Sequence, residues 1–241
     1  MTSTVRQAFD RAAMSYDAAA VLQRDVCEAL AELLPDVMAD RARLLDAGCG
    51  TGYGARLLAQ RLPQRHLVLA DFACAMLGVA RSQSRAGDAA VCADVHQLPF
   101  ASASFDLYWS SLTLQWCDLR RSLAEAARVV APGGHLVFST LGPETFAEIA
   151  AAFAGIDEYR HVLQFASSAA VEAALTATGW RNVQLRRQRF AVHYPDLTSL
   201  LRAIKDVGAS ELGAPRRAAL LGRRAWQLAQ QRYEAHRTDA G

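Results

Sequence analysis

The chain has 241 residues, 52% of them hydrophobic, and 26 basic against 24 acidic side chains leave a net charge of +2. That length and composition suit one α/β domain with a helical appendage. No apolar run reaches bilayer-spanning length, the N-terminus lacks the apolar stretch of a secretory signal, and six scattered histidines lack metal-ligand spacing, so we expect neither membrane, nor export, nor metal.

Val5–Leu34 reads as one or two amphipathic helices ending at Leu34-Pro35-Asp36. Arg43–Ala47 reads as the first strand and runs into Gly48-Cys49-Gly50-Thr51-Gly52, a tight turn into a helix over Tyr53–Arg61. Glycine in such a turn lets the backbone approach a ligand closely. His66–Asp71 is the second strand, Ala73–Gln83 a helix and Ala89–Ala93 the third strand, closed by Asp94. Phe105–Ser110 is the fourth strand, Leu119–Val130 a helix stopped by Pro132-Gly133-Gly134, and His135–Thr140 the fifth strand. This alternation predicts an α/β fold with a doubly wound, mostly parallel sheet and helices on both faces. Pro143–Ala154 and Ser167–Thr178 then read as helices, Val183–Tyr194 as a long sixth strand, and Leu197–Val207 and Pro215–Arg237 as further helices of a C-terminal insert.

Asp46, Asp71 and Asp94 stand at the ends of three successive strands, on the edge where parallel sheets bind ligands. A carboxylate only accepts hydrogen bonds, whereas a vicinal diol and an exocyclic amine donate them. Taken singly, each acid would serve as well as a helix cap or turn residue. Three in register point to a ligand. A dinucleotide-dependent oxidoreductase is the reading from another class, but the glycine turn lacks the GxGxxG spacing it needs. A non-catalytic scaffold is disfavoured by the intact set of acids.

This constellation, over roughly the first two-thirds of the chain, resembles the S-adenosylmethionine-dependent methyltransferases of Rossmann-like fold. The resemblance implies that Gly48, Gly50 and Gly52, led in by Asp46, pass the cofactor's amino-acid moiety. It implies that Asp71, with Phe72 beside it, grips the ribose hydroxyls, and that Asp94, with the Val95 backbone, takes the adenine amino group. That family usually adds a seventh, antiparallel strand, and no candidate for it precedes Gly241. Either the sequence is cut short or the sheet is closed differently. We divide the single domain into a helical cover (1–40), a cofactor-binding core (41–140) and a substrate-covering and C-terminal part (141–241).

Four stretches resemble one subfamily, the malonyl-acyl-carrier-protein O-methyltransferases of biotin synthesis. They are Phe9–Asp17 with Leu22-Gln23-Arg24, Leu112–Cys117, Phe138–Phe146 and Leu200–Ala209; Ser111 departs from the asparagine more usual there. The implied reaction carries a methyl group to the free carboxylate of malonyl-acyl carrier protein or malonyl-coenzyme A, early in pimeloyl synthesis. The alternative acceptor is another small-molecule acid or a quinone precursor. A carboxylate with a pKa near ~4 is ionised at neutral pH, so no general base is expected. Tyr16 is a candidate contact for the sulfonium or substrate, or an ordinary core tyrosine. Trp116 walls the transfer pocket or caps the core; His161 touches substrate or is structural; Lys205, the only lysine, grips a substrate anion or is there by chance.

Residues 1–180 hold 14 basic and 19 acidic side chains, a net −5, while residues 181–241 hold 12 and 5, a net +7. A basic segment with few interleaved aromatics and no recognised motif argues against nucleic acid. It suits either an acidic carrier protein or a solvated face. Arg216 with Arg223, and Arg217 with Arg224, are each seven apart on one predicted helix and so share faces. Five cysteines, with no CxxC pair, fit reduced thiols in a cytoplasm.

Overall fold

Short, near-continuous apolar runs, buried on both faces in the central strands, build the sheet. The computed structural model describes residues 2–35, 41–63, 65–210 and 221–238. In chain order it contains α1 (Ser3–Ala12), α2 (Tyr16–Ala19), α3 (Val21–Ala31), β1 (Arg43–Ala47), α4 (Tyr53–Arg61), β2 (His66–Asp71), α5 (Cys74–Gln83) and β3 (Ala89–Cys92). There follow β4 (Phe105–Ser111), a 3-10 turn at Leu114–Trp116, α6 (Leu119–Val129), β5 (Val130–Ser139), α7 (Ala147–Phe153), α8 (Ser168–Ala177), α9 (Leu197–Asp206) and α10 (Arg223–Glu234). The strand order is β3-β2-β1-β4-β5 and every pair is parallel. All five C-terminal strand ends therefore open on one edge.

The pleat sorts side chains to two cores. Leu44, Leu69, Leu107 and Trp109 face one side with Leu30 of α3 and Leu58 of α4. Leu45 and Tyr108 face the other with Ala126 and Val129 of α6. Burying a large apolar side chain contributes roughly 1.5–3 kcal/mol, so this double cover fixes the register. Helix α6 starts where the Asp118 side chain accepts from the Arg121 N–H at 2.9 Å, and it buries Ser122, Leu123, Ala126 and Val129 at helical spacing. A separate cluster of Ile149, Phe153, Leu197, Leu200 and Ala229 joins α7, α9 and α10. No described helix is long and apolar enough to cross a membrane.

Several expectations are corrected. The cover is three helices, because the chain turns at Ala13–Ser15 and again at Ala20, where the backbone leaves the helical region. Strand β5 begins at Val130, ahead of the Pro132-Gly133-Gly134 stop, and a register irregularity between Phe105 and Leu107 absorbs that segment. The segment Val183–Tyr194 is not a strand: it carries no ladder to any neighbour in the described residues, and residues 183–189 are exposed. Alternating sequence character cannot make a strand without a hydrogen-bonding partner. Helix α10 starts at Arg223, and residues 211–220, which include Arg216 and Arg217, lie outside the described residues. The cysteines are not all free thiols: Cys74 and Cys92 form a disulfide with a Cα–Cα distance of 5.8 Å. Parallel pairing sets Cys92 opposite Asp71, three residues before Cys74, a proximity that a separation of 18 residues conceals.

Candidate active site

The turn after β1 is shaped by two glycines. Gly48 has φ +74°, and a Cβ there would lie 2.2 Å from Thr113 Oγ1. That hydroxyl instead donates to the Gly48 carbonyl at 3.2 Å. Gly50 has φ +54° and a Cβ would meet no heavy atom within 4 Å, so its outer face is open to a ligand. Its N–H donates to Asp71 Oδ2 at 2.8 Å, while Ala73 N–H donates to Asp71 Oδ1 at 2.8 Å. Asp71 therefore ties the glycine turn to the start of α5. Burial pushes its pKa up to about 6, against the pull of those two N–H groups.

Asp46 shares a pleat face with Leu44 and so points into the core beneath the turn. Gly54 packs between its Oδ2 and the Trp109 ring nitrogen, and neither atom has a hydrogen-bond partner among the described residues. Burial, and next the charge of Asp71, push the Asp46 pKa up to about 7. Asp94 lies between Ala93 and Val95, both at the cavity wall. Desolvation works to raise its pKa, but hydrogen bonds, the His96 N–H first among them, outweigh that and hold it below the usual carboxylate value.

A cavity of about 50 Å³ lies over the turn, walled by Gly48, Gly50, Asp71, Phe72, Val95 and Thr113. Asp46, Gly52 and Asp94 are not at its wall. Tyr16 and Trp116 close it from above with Phe9, whose ring meets Trp116 edge to face at 5.5 Å. The Tyr16 hydroxyl is held well above the usual tyrosine value by desolvation and then by the charges of Asp71 and Asp17, so it stays protonated. A second, larger groove of about 1210 Å³ opens between the β5–α7 connection and residues 183–194. Phe9, Tyr16, Leu112 and Trp116 line both spaces, so the cavity and groove meet at these four side chains.

Three polar contacts tie α1, α2 and the turn between them to the rest of the chain. Thr51 Oγ1 donates to Asp17 Oδ1 at 2.5 Å, Ala75 N–H to Asp10 Oδ1 at 2.9 Å, and Ser15 Oγ to the Asp206 carbonyl at 3.1 Å. His161 lines the groove, stacks on Phe153 at 3.9 Å and bonds to Asp157 at 2.9 Å. Lys205 is exposed in the last turn of α9 and outside both linings. The structure thus gathers Tyr16, Trp116, Asp71, Phe72, Val95, Gly48 and Gly50, sets His161 further along the groove, and leaves Lys205 apart. Sequence reasoning passed over Phe9, Leu112 and Thr113. All three stand in stretches that carried the resemblance, but nothing in their spacing reveals that they meet.

A methyltransferase-domain family model matches residues 45–138. A relative from Dechloromonas aromatica, named malonyl-acyl-carrier-protein O-methyltransferase, is 44% identical over 98% of this chain and 88% of its own length. One of the same name from Laribacter hongkongensis is 42% identical over 98% of this chain and 84% of its own length. Among solved structures, the YcgJ protein of Bacillus subtilis shares the fold over 89% of this chain and 85% of its own, with a TM-score of 0.62 at 18% identity. With identity of that order along almost the whole chain, and a glycine turn and buried acid set on a parallel sheet edge, the chain belongs to the malonyl-acyl-carrier-protein O-methyltransferase family and is an S-adenosylmethionine-dependent O-methyltransferase.

Proposed function

We propose that the enzyme methylates the free carboxylate of a malonyl thioester carried on acyl carrier protein, as the names of its relatives state for them. The observation that carries this is the meeting of two spaces at Phe9, Tyr16, Leu112 and Trp116: a cavity walled by the glycine turn and Asp71, and a groove of about 1210 Å³ beyond it.

The residues fit S-adenosylmethionine. Asp71 offers acceptors to a ribose diol at the wall of the cavity, and Gly50 leaves space for the amino-acid moiety. The Tyr16 and Trp116 rings suit a sulfonium. When bound, that group supplies an electrophilic methyl. At about 50 Å³ the cavity is narrow, and on this reading α1 and α2 move aside to admit the group. The shared aromatic ring wall excludes water from the approaching carboxylate and aligns it, which suffices for a nucleophile already ionised.

Arg187 and Arg189 stand at the groove, both paired with Glu144, at 3.3 and 3.0 Å. With exposed Arg223 and Arg224 they give an acidic carrier protein a basic approach. A cytoplasmic setting belongs to the same reading; it predicts that the Cys74–Cys92 disulfide is reduced there, as the thiols Cys27, Cys49 and Cys117 are free. The test is incubation with methyl-labelled S-adenosylmethionine and malonyl carrier protein, malonyl-coenzyme A or free malonate. A base-labile label on the carrier substrate is expected. Label only on free acids would point to a small-molecule acceptor.

A further inference from the structure

Between Asp94 and the Trp116 wall stands a side chain that neither the glycine turn nor the acid pattern brings to notice. The His96 ring nitrogen Nδ1 lies 2.8 Å from Asp94 Oδ1. The His96 backbone N–H donates to the same oxygen at 2.9 Å. On the far side of the ring, Nε2 accepts from the Asp118 N–H at 3.0 Å. An N–H cannot donate to a nitrogen that carries a proton, so Nε2 holds a lone pair and Nδ1 holds the hydrogen. The ring therefore donates to Asp94 and accepts from Asp118. The side chain is only 7% exposed, which leaves water little room to take over either bond.

Asp118 caps α6 and directly follows Trp116 and Cys117. One imidazole thus spans from the end of β3 to the connection between β4 and α6. The far end of the 94–100 loop is pinned without it. Glu125 accepts from the Leu98 N–H at 2.6 Å, and Arg128 donates to the carbonyls of Leu98 at 3.0 Å and Phe100 at 2.8 Å. Backbone bonds from Ala93 to Asp71 and from Gln97 to Asp94, each 2.9 Å, hold the chain at the near end, so removing the ring takes away the side-chain bonds to Asp94 and Asp118 and leaves the loop anchored.

We infer that His96 is a positioning residue: it sets the plane of the Asp94 carboxylate for the adenine amino group and fixes that corner against the wall that carries Trp116. The inference rests on the reading of Asp94 as the adenine acceptor. A backbone turn alone would need only the His96 N–H, which any residue supplies. The second bond to the same oxygen and the bond to Asp118 need an imidazole.

Asparagine and glutamine separate the two ring bonds. The amide nitrogen of asparagine falls where Nδ1 lies, and the amide oxygen of glutamine reaches where Nε2 lies. Calorimetry would compare wild type, His96→Asn, His96→Gln, His96→Ala and Asp94→Asn for binding S-adenosylhomocysteine and its analogue with hydrogen in place of the adenine amino group. Wild type should prefer the amino compound by about tenfold or more, the size of one charge-assisted hydrogen bond. His96→Asn should keep that preference, and His96→Gln and His96→Ala should lose most of it. Since Asn and Gln each retain one ring bond, the comparison stands even where Ala fails to fold. Preference kept in Gln and Ala but lost in Asp94→Asn overturns the role of His96 and leaves Asp94 in the site. Preference lost in all three His96 variants also overturns it, because the Asp94 bond is then not what matters. Preference kept in Asp94→Asn removes Asp94 from adenine recognition, and the inference with it.

Discussion

A carboxylic acid taken out of water keeps its proton longer, and two buried aspartates here translate that into different measurements. Asp71 accepts from Gly50 and Ala73 and lines the cofactor cavity. Asp71→Ala should cost roughly 1.5–3 kcal/mol of cofactor affinity, about ten- to a hundredfold. In wild type the affinity should fall as pH drops through about 6, where the buried carboxylate gains its proton and an acceptor is lost. Calorimetry with S-adenosylhomocysteine from pH 5 to 8 checks both. Asp46 faces the core, and its pKa is raised to about 7 in the folded state. The folded form holds that proton more tightly than the unfolded chain does. The stability this contributes is complete below the unfolded value near ~3.9 and is lost as pH rises through about 7. Asp46→Asn should therefore raise the melting temperature at pH 8 and change it much less at pH 5. Parallel shifts at the two pH values would contradict the burial argument. The acids were legible in sequence because strand ends are legible. That Asp46 turns inward was not, because it depends on which pleat face meets Trp109.

Whole elements carry the opening of the site. Polar bonds across the edge of the cover act beside an apolar cluster in which Ala12 and Ala13 are buried with Ala73 and Met76. Asp17→Ala, which frees Thr51, should speed cofactor release several-fold with little change in melting temperature, read by stopped-flow displacement. Unchanged release would mean that the apolar contacts of Phe9 and Tyr16 alone hold the cover. Gly48 ties the β1 turn to β4: alanine there would need φ +74° and a place 2.2 Å from Thr113. Gly48→Ala should destabilise by roughly 1–3 kcal/mol, and Thr113→Gly in the same chain should recover only the steric part, measured by urea unfolding. Sequence predicted all five parallel strands, because the three central ones, β1, β2 and β4, are apolar runs buried on both faces. It misled at Val183–Tyr194, since alternation describes one strand and a ladder needs two. It could not see Thr113 beneath Gly48, since no period links a turn to a strand end 65 residues on.

At the scale of the molecule, charge is divided along the chain, and the +7 falls beyond residue 180. Turnover of malonyl carrier protein should fall with salt, because opposite charges are screened beyond about 8 Å at physiological ionic strength. Malonyl-coenzyme A, without the protein surface, should respond less. Arg223 and Arg224 occupy the first turn of α10, where a helix end disfavours cations. Reversing both to glutamate should slightly stabilise the fold while slowing carrier turnover, and equal salt slopes for the two acceptors would reduce this surface to a solvated face. The same scarcity of lysine that once suggested a ligand has a practical use. Lys205 is exposed, the only lysine in the chain, and one residue from Asp206, to which Ser15 of the cover is bonded. Blocking the terminal amine first near neutral pH, where its lower pKa makes it the more reactive, and then labelling at higher pH would place a single fluorophore on Lys205 at the rim of the cover. The enzyme thus carries a native attachment point from which opening and closing can be watched one molecule at a time, without a single engineered residue.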